Sequence, residues 1–313
     1  MKVRLGYVSI TNALDYTTSS TITYSNYVKI NNKEEKIDDI IISNLTALEK
    51  IMIYNIKNNI HFYRLTSKLI PLSTHKDVKI EYINKYKKYY EKIGKLINDN
   101  NIRVDVHPDQ FCVINSTNKE VIDNSFKILE YHYNILNALN IKDKVIVLHV
   151  GSNVFGKEKS KQRFINSFKK LPSYIQSCIA IENDDKIFNI DDVLDICYKI
   201  NIRPIFDIHH YNCNKGKKEA FEYFKDIFNL WKDKIPKIHF SSPKSLLKKE
   251  YRSHNDYINV KDFIKFLNSI KKYNKDIDIM LEVKQKDDAL FRLVRQIKFY
   301  TDYKFLDDTT FIV

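Results

Sequence analysis

The chain has 313 residues, 43% of them hydrophobic, which suits a folded domain with a sizeable core and excludes a disordered polyelectrolyte. Its net charge of +13 excludes an acidic surface and favours polyanionic partners such as nucleic acid. No run of about 18 apolar residues is present, so no membrane span is expected.

In chain order, Met1 leads straight into a first strand at Val3–Ser9, with charges at Lys2 and Arg4, unlike a signal peptide. Thr11 to Asp39 is polar and rich in Thr, Ser and Asn, and reads as a long loop. Ile41–Lys57 then carries Ile41, Leu45, Leu48 and Met52 at helical spacing. The alternation continues with strand His61–Leu65 and helix Lys79–Asn98, then Ile102–Val106 and Asn118–Leu139. Next come Val145–Val150 with Lys159–Leu171, and Cys178–Glu182 with Ile190–Tyr198. Asn189-Ile190-Asp191-Asp192 places carboxylates in a first helical turn, where the helix dipole favours them. Pro204–Asp207 with Lys218–Leu230, Lys237–Ser241 with Val260–Tyr273, and Ile277–Val283 with Asp287–Tyr300 complete the series. Cys112, Cys178, Cys197 and Cys213 lack CxxC spacing and read as reduced thiols of a cytoplasmic protein.

Eight strands alternating with eight helices predict an α/β fold, a (β/α)8 TIM barrel forming one domain over residues 1–313. The 11–39 loop would lie on the C-terminal face, where barrels keep their active sites. An open doubly wound sheet is the alternative, weakened by the lack of a Gly-rich phosphate loop of either common kind.

The strand ends carry an unusual set of side chains. His107 follows the third strand, His149 closes the fourth and Glu182 ends the fifth. Asp207 ends the sixth, with His210 three residues on. His239 ends the seventh, His254 sits in the loop after it, and Glu282 ends the eighth. A lone His at a strand end is more often a hydrogen-bonded structural residue than a ligand. Several on one barrel face are a candidate metal site. Imidazoles mixed with carboxylates suit Mn²⁺, Zn²⁺, Fe or Co²⁺ better than Mg²⁺ alone. Eight ligands exceed one tetrahedral ion, so two or three ions sharing bridging carboxylates are expected. Lys237 precedes His239 by two and should share its face. It either pairs with Glu182 or Glu282, points outward, or has a lowered pKa and acts on a phosphate or as a carboxylated bridging ligand.

His107-Pro108-Asp109-Gln110-Phe111 resembles the His-Pro-x-Gln-aromatic signature of UV damage endonucleases. Gly6-Tyr7-Val8, Phe62-Tyr63-Arg64-Leu65-Thr66-Ser67, Val147-Leu148-His149 and Ile181-Glu182-Asn183-Asp184 are similar to that family's segments, in its order. So are Asp207-Ile208-His209-His210, Lys237-Ile238-His239 and Leu281-Glu282-Val283-Lys284. The resemblance implies a barrel of the xylose isomerase/endonuclease IV kind, a cluster of divalent metals typically including manganese, and a nick immediately 5′ to UV photoproducts in duplex DNA. It implies the ligands His107, His149, Glu182, Asp207, His210, His239, His254 and Glu282, with Lys237, Glu182 and Glu282 in catalysis. Gln110 and Phe111 match the family's lesion-probing pair. Tyr7 and Asn12 would line the lesion pocket, although Tyr7 reads equally as a core tyrosine.

Lys157, Lys159, Lys161, Arg163, Lys215, Lys217, Lys218, Lys244, Lys248 and Lys249 are loop-side candidates for a DNA-binding rim. Part of that charge reads equally as codon bias and solvated helix faces. The expected protein is a monomer without an obligate protein partner. An endonuclease IV-like enzyme for abasic sites, a metal-dependent sugar isomerase or epimerase, and a DNA-binding protein with structural metals are the competing expectations.

Overall fold

The structure is a computed structural model and describes residues 1–313. Eight parallel strands form the barrel wall: β1 (Lys2–Val8), β2 (Phe62–Leu65), β3 (Arg103–Val106), β4 (Ile146–His149), β5 (Ile179–Glu182), β6 (Arg203–Asp207), β7 (Lys237–Phe240) and β8 (Ile277–Leu281). Each is followed by an outer helix: α1 (Lys33–Lys57), α2 (Lys87–Asp99), α3 (Lys119–Ala138), α4 (Lys157–Phe168), α5 (Ile190–Ile200), α6 (Phe224–Trp231), α7 (Val260–Ile270) and α8 (Lys286–Tyr300). The expected (β/α)8 barrel is what forms, and one continuous apolar cluster fills the space between wall and helices. No helix is long and apolar enough to cross a membrane.

Recurrent chemistry stops the helices. Asn59, Asn101, Asn140 and Asn201 adopt left-handed φ of 53°, 51°, 53° and 52° just past α1, α2, α3 and α5. The next residue is an isoleucine each time, and its N–H closes onto the last helical turn: Ile60 to Asn55 O, Ile102 to Ile97 O, Ile141 to Leu136 O, Ile202 to Cys197 O. All four isoleucines are buried. This is the Schellman ending with Asn in the place glycine usually takes. At its N-terminus α5 has a full capping box between Asn189 and Asp192, which the acidic first turn foreshadowed.

The structure departs from expectation in several places. α1 starts at Lys33, inside the stretch read as loop, because Ile37 and Ile40 continue its buried stripe. α2 starts at Lys87, since its buried face of Tyr90, Ile93 and Ile97 begins only there. A short helix, Ile208–Cys213, follows β6 directly. Two further strands, β9 (Lys304–Phe305) and β10 (Thr310–Ile312), end the chain.

Those last strands complete the wall. β1 pairs with β8 from Val3 to Tyr7, but with β2 only from Gly6 to Val8. Its lower half, Lys2–Arg4, pairs antiparallel with β10 instead. The barrel is thus closed strand to strand at the end that carries the candidate ligands and patched by a C-terminal hairpin at the other. Gly6 sits where β1 and β2 converge, and a Cβ there would run into the Phe62 carbonyl.

Candidate metal centre

Strand register brings the candidate side chains to one height. His149 lies beside Glu182 across β4 and β5, and Asp207 beside His239 across β6 and β7. Alternation turns all four into the barrel. Two ligand groups result: His107, His149 and Glu182 in one, and Glu182, Asp207, His239 and Glu282 in the other. Glu182 belongs to both. Its Oε2 accepts from His107 Nε2 at 3.0 Å and lies 3.8 Å from His149 Nε2. Its Oε1 lies 2.9 Å from His239 Nδ1 and 3.3 Å from His210 Nδ1. Glu282 Oε1 is 3.1 Å from His239 Nδ1.

Glu182, Asp207 and His239 are buried, while Glu282, His107 and His149 are part-exposed toward the mouth. Burial alone would raise the Glu182 carboxyl, but the His239 and His149 imidazoles outweigh it and hold the group well below the usual carboxylate range. Burial likewise opposes charge on His210, yet Asp207 and Glu182 drag its pKa up to about 11. Asp207 Oδ2 and His149 Nδ1 are buried without a hydrogen-bond partner. Orphaned donor atoms in a nest of carboxylates and imidazoles fit divalent metal ions.

Neighbouring residues hold this set in place. Asn183 clamps the backbone of Asp207, its Oδ1 accepting from Asp207 N at 2.9 Å and its Nδ2 donating to Asp207 O at 3.0 Å. Asp207 Oδ1 caps the Ile208–Cys213 helix by accepting from His210 N at 2.6 Å. Asp184 gathers the loop beyond by accepting from the Lys186 and Phe188 amides at 2.7 and 2.9 Å. In the segment Glu182-Asn183-Asp184, then, a ligand candidate is followed by two positioning residues.

His254 stands apart from both groups. It bridges Pro243 and packs beside His209 and His210, with ring centroids 5.5 and 6.2 Å away. Lys237 does turn into the barrel, but one layer below the ligands. Its ammonium lies 3.7 Å from Asp105 Oδ2 and 5.1 Å from the centre of the Phe62 ring, so its partner is Asp105 rather than Glu182 or Glu282. Burial pushes this ammonium down to about 7, against the pull of Asp105. Arg64 fills the space between. Its Nε donates to Asp105 Oδ1 at 3.1 Å, Nη1 donates to Glu282, and Nη2 donates to His239 Nε2. Neither Arg64 nor Asp105 was singled out from the sequence, although Asp105 shares the inward parity of His107 on β3.

At the rim, Asp109 Oδ1 accepts from Phe111 N at 3.0 Å, a turn that leaves Gln110 exposed and Phe111 70% exposed. A cavity of 410 Å³ opens on one side of this pair, floored by His107 and His149. A cleft of 640 Å³ lies on the other, lined by Leu72, His75, Phe111 and Asn124. Asn12 is exposed at the mouth and tied to the start of α8, its backbone N–H donating to Asp287 at 2.7 Å and its amide to Gln285 and Asp288 at 3.1 Å. Tyr7 needs correcting as a lesion-pocket residue. It faces outward from β1 and is fully buried under α1, with its hydroxyl donating to Asn55 Oδ1 at 2.8 Å. Several rim cations are also committed elsewhere: Lys161 is buried against Asp195 at 2.9 Å, Lys157 pairs with Asp192 at 2.7 Å, and Arg163 holds the Asn115 and Val154 carbonyls.

The family profile described as UV-endonuclease UvdE matches residues 3–309. A UV DNA damage endonuclease of Bacillus cereus (strain B4264) is 40% identical over 304 residues, covering 95% of each chain. The crystal structure of SacUVDE superposes with a TM-score of 0.86 at 34% identity, covering 95% of this chain and 98% of that one. Endonuclease IV from Thermus thermophilus, 12% identical, superposes at 0.58 over 95% of this chain and 100% of its own, a likeness of fold alone. With matched residues running nearly end to end, the chain belongs to the UV-endonuclease UvdE family.

Proposed function

We propose that this protein is a metal-dependent endonuclease that cuts duplex DNA immediately 5′ to UV photoproducts, leaving a 3′-hydroxyl and a 5′-phosphate. One observation supports this above the others: two ligand groups share Glu182, and Gln110, next to the exposed Phe111, lines the cavity that His107 and His149 floor. His107, His149 and Glu182 would hold one divalent ion, and Glu182, Asp207, His239 and Glu282 a second. His210 and His254 are the remaining donors for a third. Mn²⁺ suits this mixed donor set, as Zn²⁺ and Co²⁺ also do. When bound, such ions supply an activated water and neutralise charge developing on the phosphate.

The chain's own residues supply the rest. Phe111 is a planar wedge and Gln110 an amide beside it, suited to the gap left when poorly stacked bases leave a duplex. The cavities on either side of the pair offer room for displaced bases. Glu182 and Glu282 orient the donors around the reacting phosphate. Arg64 supplies fixed positive charge one step behind them, and Lys237 lies deeper still. The expected protein acts as a cytoplasmic monomer on damaged double-stranded DNA.

The test is nicking of an end-labelled duplex carrying one cyclobutane dimer, with Mn²⁺ or with EDTA. Cleavage just 5′ to the dimer, dependent on metal and absent on intact duplex, is expected. His107→Ala or Glu282→Gln should lower it by at least about 100-fold, and Phe111→Ala should reduce discrimination between damaged and intact DNA. Full activity of either ligand variant at saturating metal would overturn the site. Cleavage of abasic duplex alone would move the substrate to abasic sites.

A further inference from the structure

Across the barrel mouth from Phe111 stands a second apolar projection. Leu246 and Leu247 lie in the loop after β7, 87% and 60% exposed. β3 and β7 are four strands apart on the eight-stranded ring, so the two loops rise from opposite walls. Eight strands about 4.8 Å apart and tilted about 36° close a ring about 15 Å across.

Isolated exposed leucines are ordinary on protein surfaces. This pair is distinguished by how it is held. Glu250 N and Tyr251 N both donate to Leu247 O, at 2.8 and 2.9 Å. Glu250 also takes Lys244 Nζ at 2.9 Å and the Ser245 hydroxyl at 2.8 Å. The base of the loop is fixed by the Pro243–His254 bridge and by the Asn255 amide, which donates to the Pro243 and Lys244 carbonyls at 3.0 and 3.3 Å. Arg252 reaches over to Asp185, in the loop after β5, at 2.9 Å. The turn therefore keeps its leucines out in water instead of folding them away. Lys248 and Lys249 follow at once, both exposed. An apolar tip with cations beside it is the chemistry of a side chain that enters a base step while its neighbours hold phosphates.

We infer that Leu246 and Leu247 form a second insertion point for duplex DNA, on the far side of the metal centre from Gln110 and Phe111. This rests on the proposed reading of the site as a DNA-cutting one. Rooted on opposite sides of a ring about 15 Å across, the two tips stand several base-pair steps of ~3.4 Å apart. The duplex is then gripped on both flanks of the lesion, and the backbone between the grips is presented to the metal ligands.

The test compares wild type with the double variant Leu246→Ser, Leu247→Ser on a labelled duplex carrying one cyclobutane dimer. Binding is measured by fluorescence anisotropy in EDTA across a salt series, so that nothing is cleaved. The inference expects affinity to fall at least about tenfold with the salt slope unchanged. Lys248→Ala with Lys249→Ala should instead flatten the slope by about one unit per lysine. Shortening the duplex on one flank only should abolish the difference between the double variant and wild type. Both leucines are exposed, so melting temperatures should agree and a folding defect would show as their divergence. If wild type prefers the damaged duplex and the double variant binds it equally well, the inference alone is overturned. A wild type indifferent to the lesion overturns the proposed function and the inference with it. A wild-type dimer that the leucine substitutions dissociate makes the tip a contact between copies, and also overturns the inference.

Discussion

Asp105 is the only carboxylate within reach of two buried cations, the Arg64 guanidinium and the Lys237 ammonium. All three are at least 94% buried, so their mutual neutralisation is not shared with water. Asp105→Asn would leave one guanidinium short of a partner and one ammonium with none, at a cost of about 3–5 kcal/mol. The urea unfolding midpoint of the variant should fall accordingly, and an unchanged midpoint would show that Lys237 is neutral and Arg64 satisfied by Glu282 alone. The same residues show how far the site was legible. Side chains at i and i+2 share a face, and that rule placed His149, Glu182 and His239 inside the barrel. It applies equally to Asp105 before His107, a charge in the middle of a buried strand that attention to strand ends passed over. It also explains Tyr7, which alternates with Val3 and Leu5 on the outward face, while Arg4 and Gly6 face in. His254 was harder to place, because a loop residue has no periodicity to fix its direction.

At the scale of elements, the strands were legible to within about two residues, because near-continuous apolar runs mark a buried parallel sheet. Helix ends were less so. The recurring Asn-Ile pair that ends four helices is a stop signal written without glycine, in a chain with only 5 glycines, and a search for Gly passes over it. Below the site a second device joins strands distant in sequence. Asp143, in the turn before β4, binds Arg103 of β3 and Arg203 of β6 at 2.8 Å each. Trp231 lies against both guanidinium groups, at 5.4 and 5.1 Å from its ring centre. Burial would raise the Asp143 carboxyl, but Arg103 and Arg203 together bring it down to about 2. A carboxyl lowered on folding contributes stability that is complete above its unfolded pKa of about 4 and is lost as pH falls toward the folded value. Asp143→Asn should therefore cost about 2 kcal/mol at neutral pH. The gap to wild type should close between pH of about 4 and about 2, as urea titrations at a series of pH values would show. A gap independent of pH would mean that the bond geometry matters and the charge does not.

Over the whole molecule, the net charge of +13 is not spread as the sequence alone suggested. Lys157, Lys161, Arg163, Lys218 and Lys244 are engaged with carboxylates or carbonyls. Lys159, Lys215, Lys217, Lys248 and Lys249 remain exposed on loops or helix starts at the mouth. If these five carry the phosphate contacts, the plot of log binding constant against log salt for intact duplex should have a slope of about −4 to −5, at about −0.9 per contact. A slope near zero would remove the basic rim from the account. Which lysines are free could not be read beforehand, since pairing depends on helices that meet only in the folded barrel. The C-terminal hairpin escaped notice for a related reason. Its strands are short and carry little alternation, and they gain their partners from β1, at the opposite end of the sequence.

That hairpin also decides how the molecule answers to force. Val313 N donates to Met1 O at 3.0 Å, so the two termini leave from the same end of the antiparallel β1–β10 pair. Tension applied between them loads the rungs one after another and peels the strap open like a zip, instead of shearing all its bonds together. A motor that grips the C-terminal end would strip residues 304–313 easily. It would next have to lift α8 from the wall, and only then meet β8, wedged between β7 and β1, which yields only when the wall itself gives way.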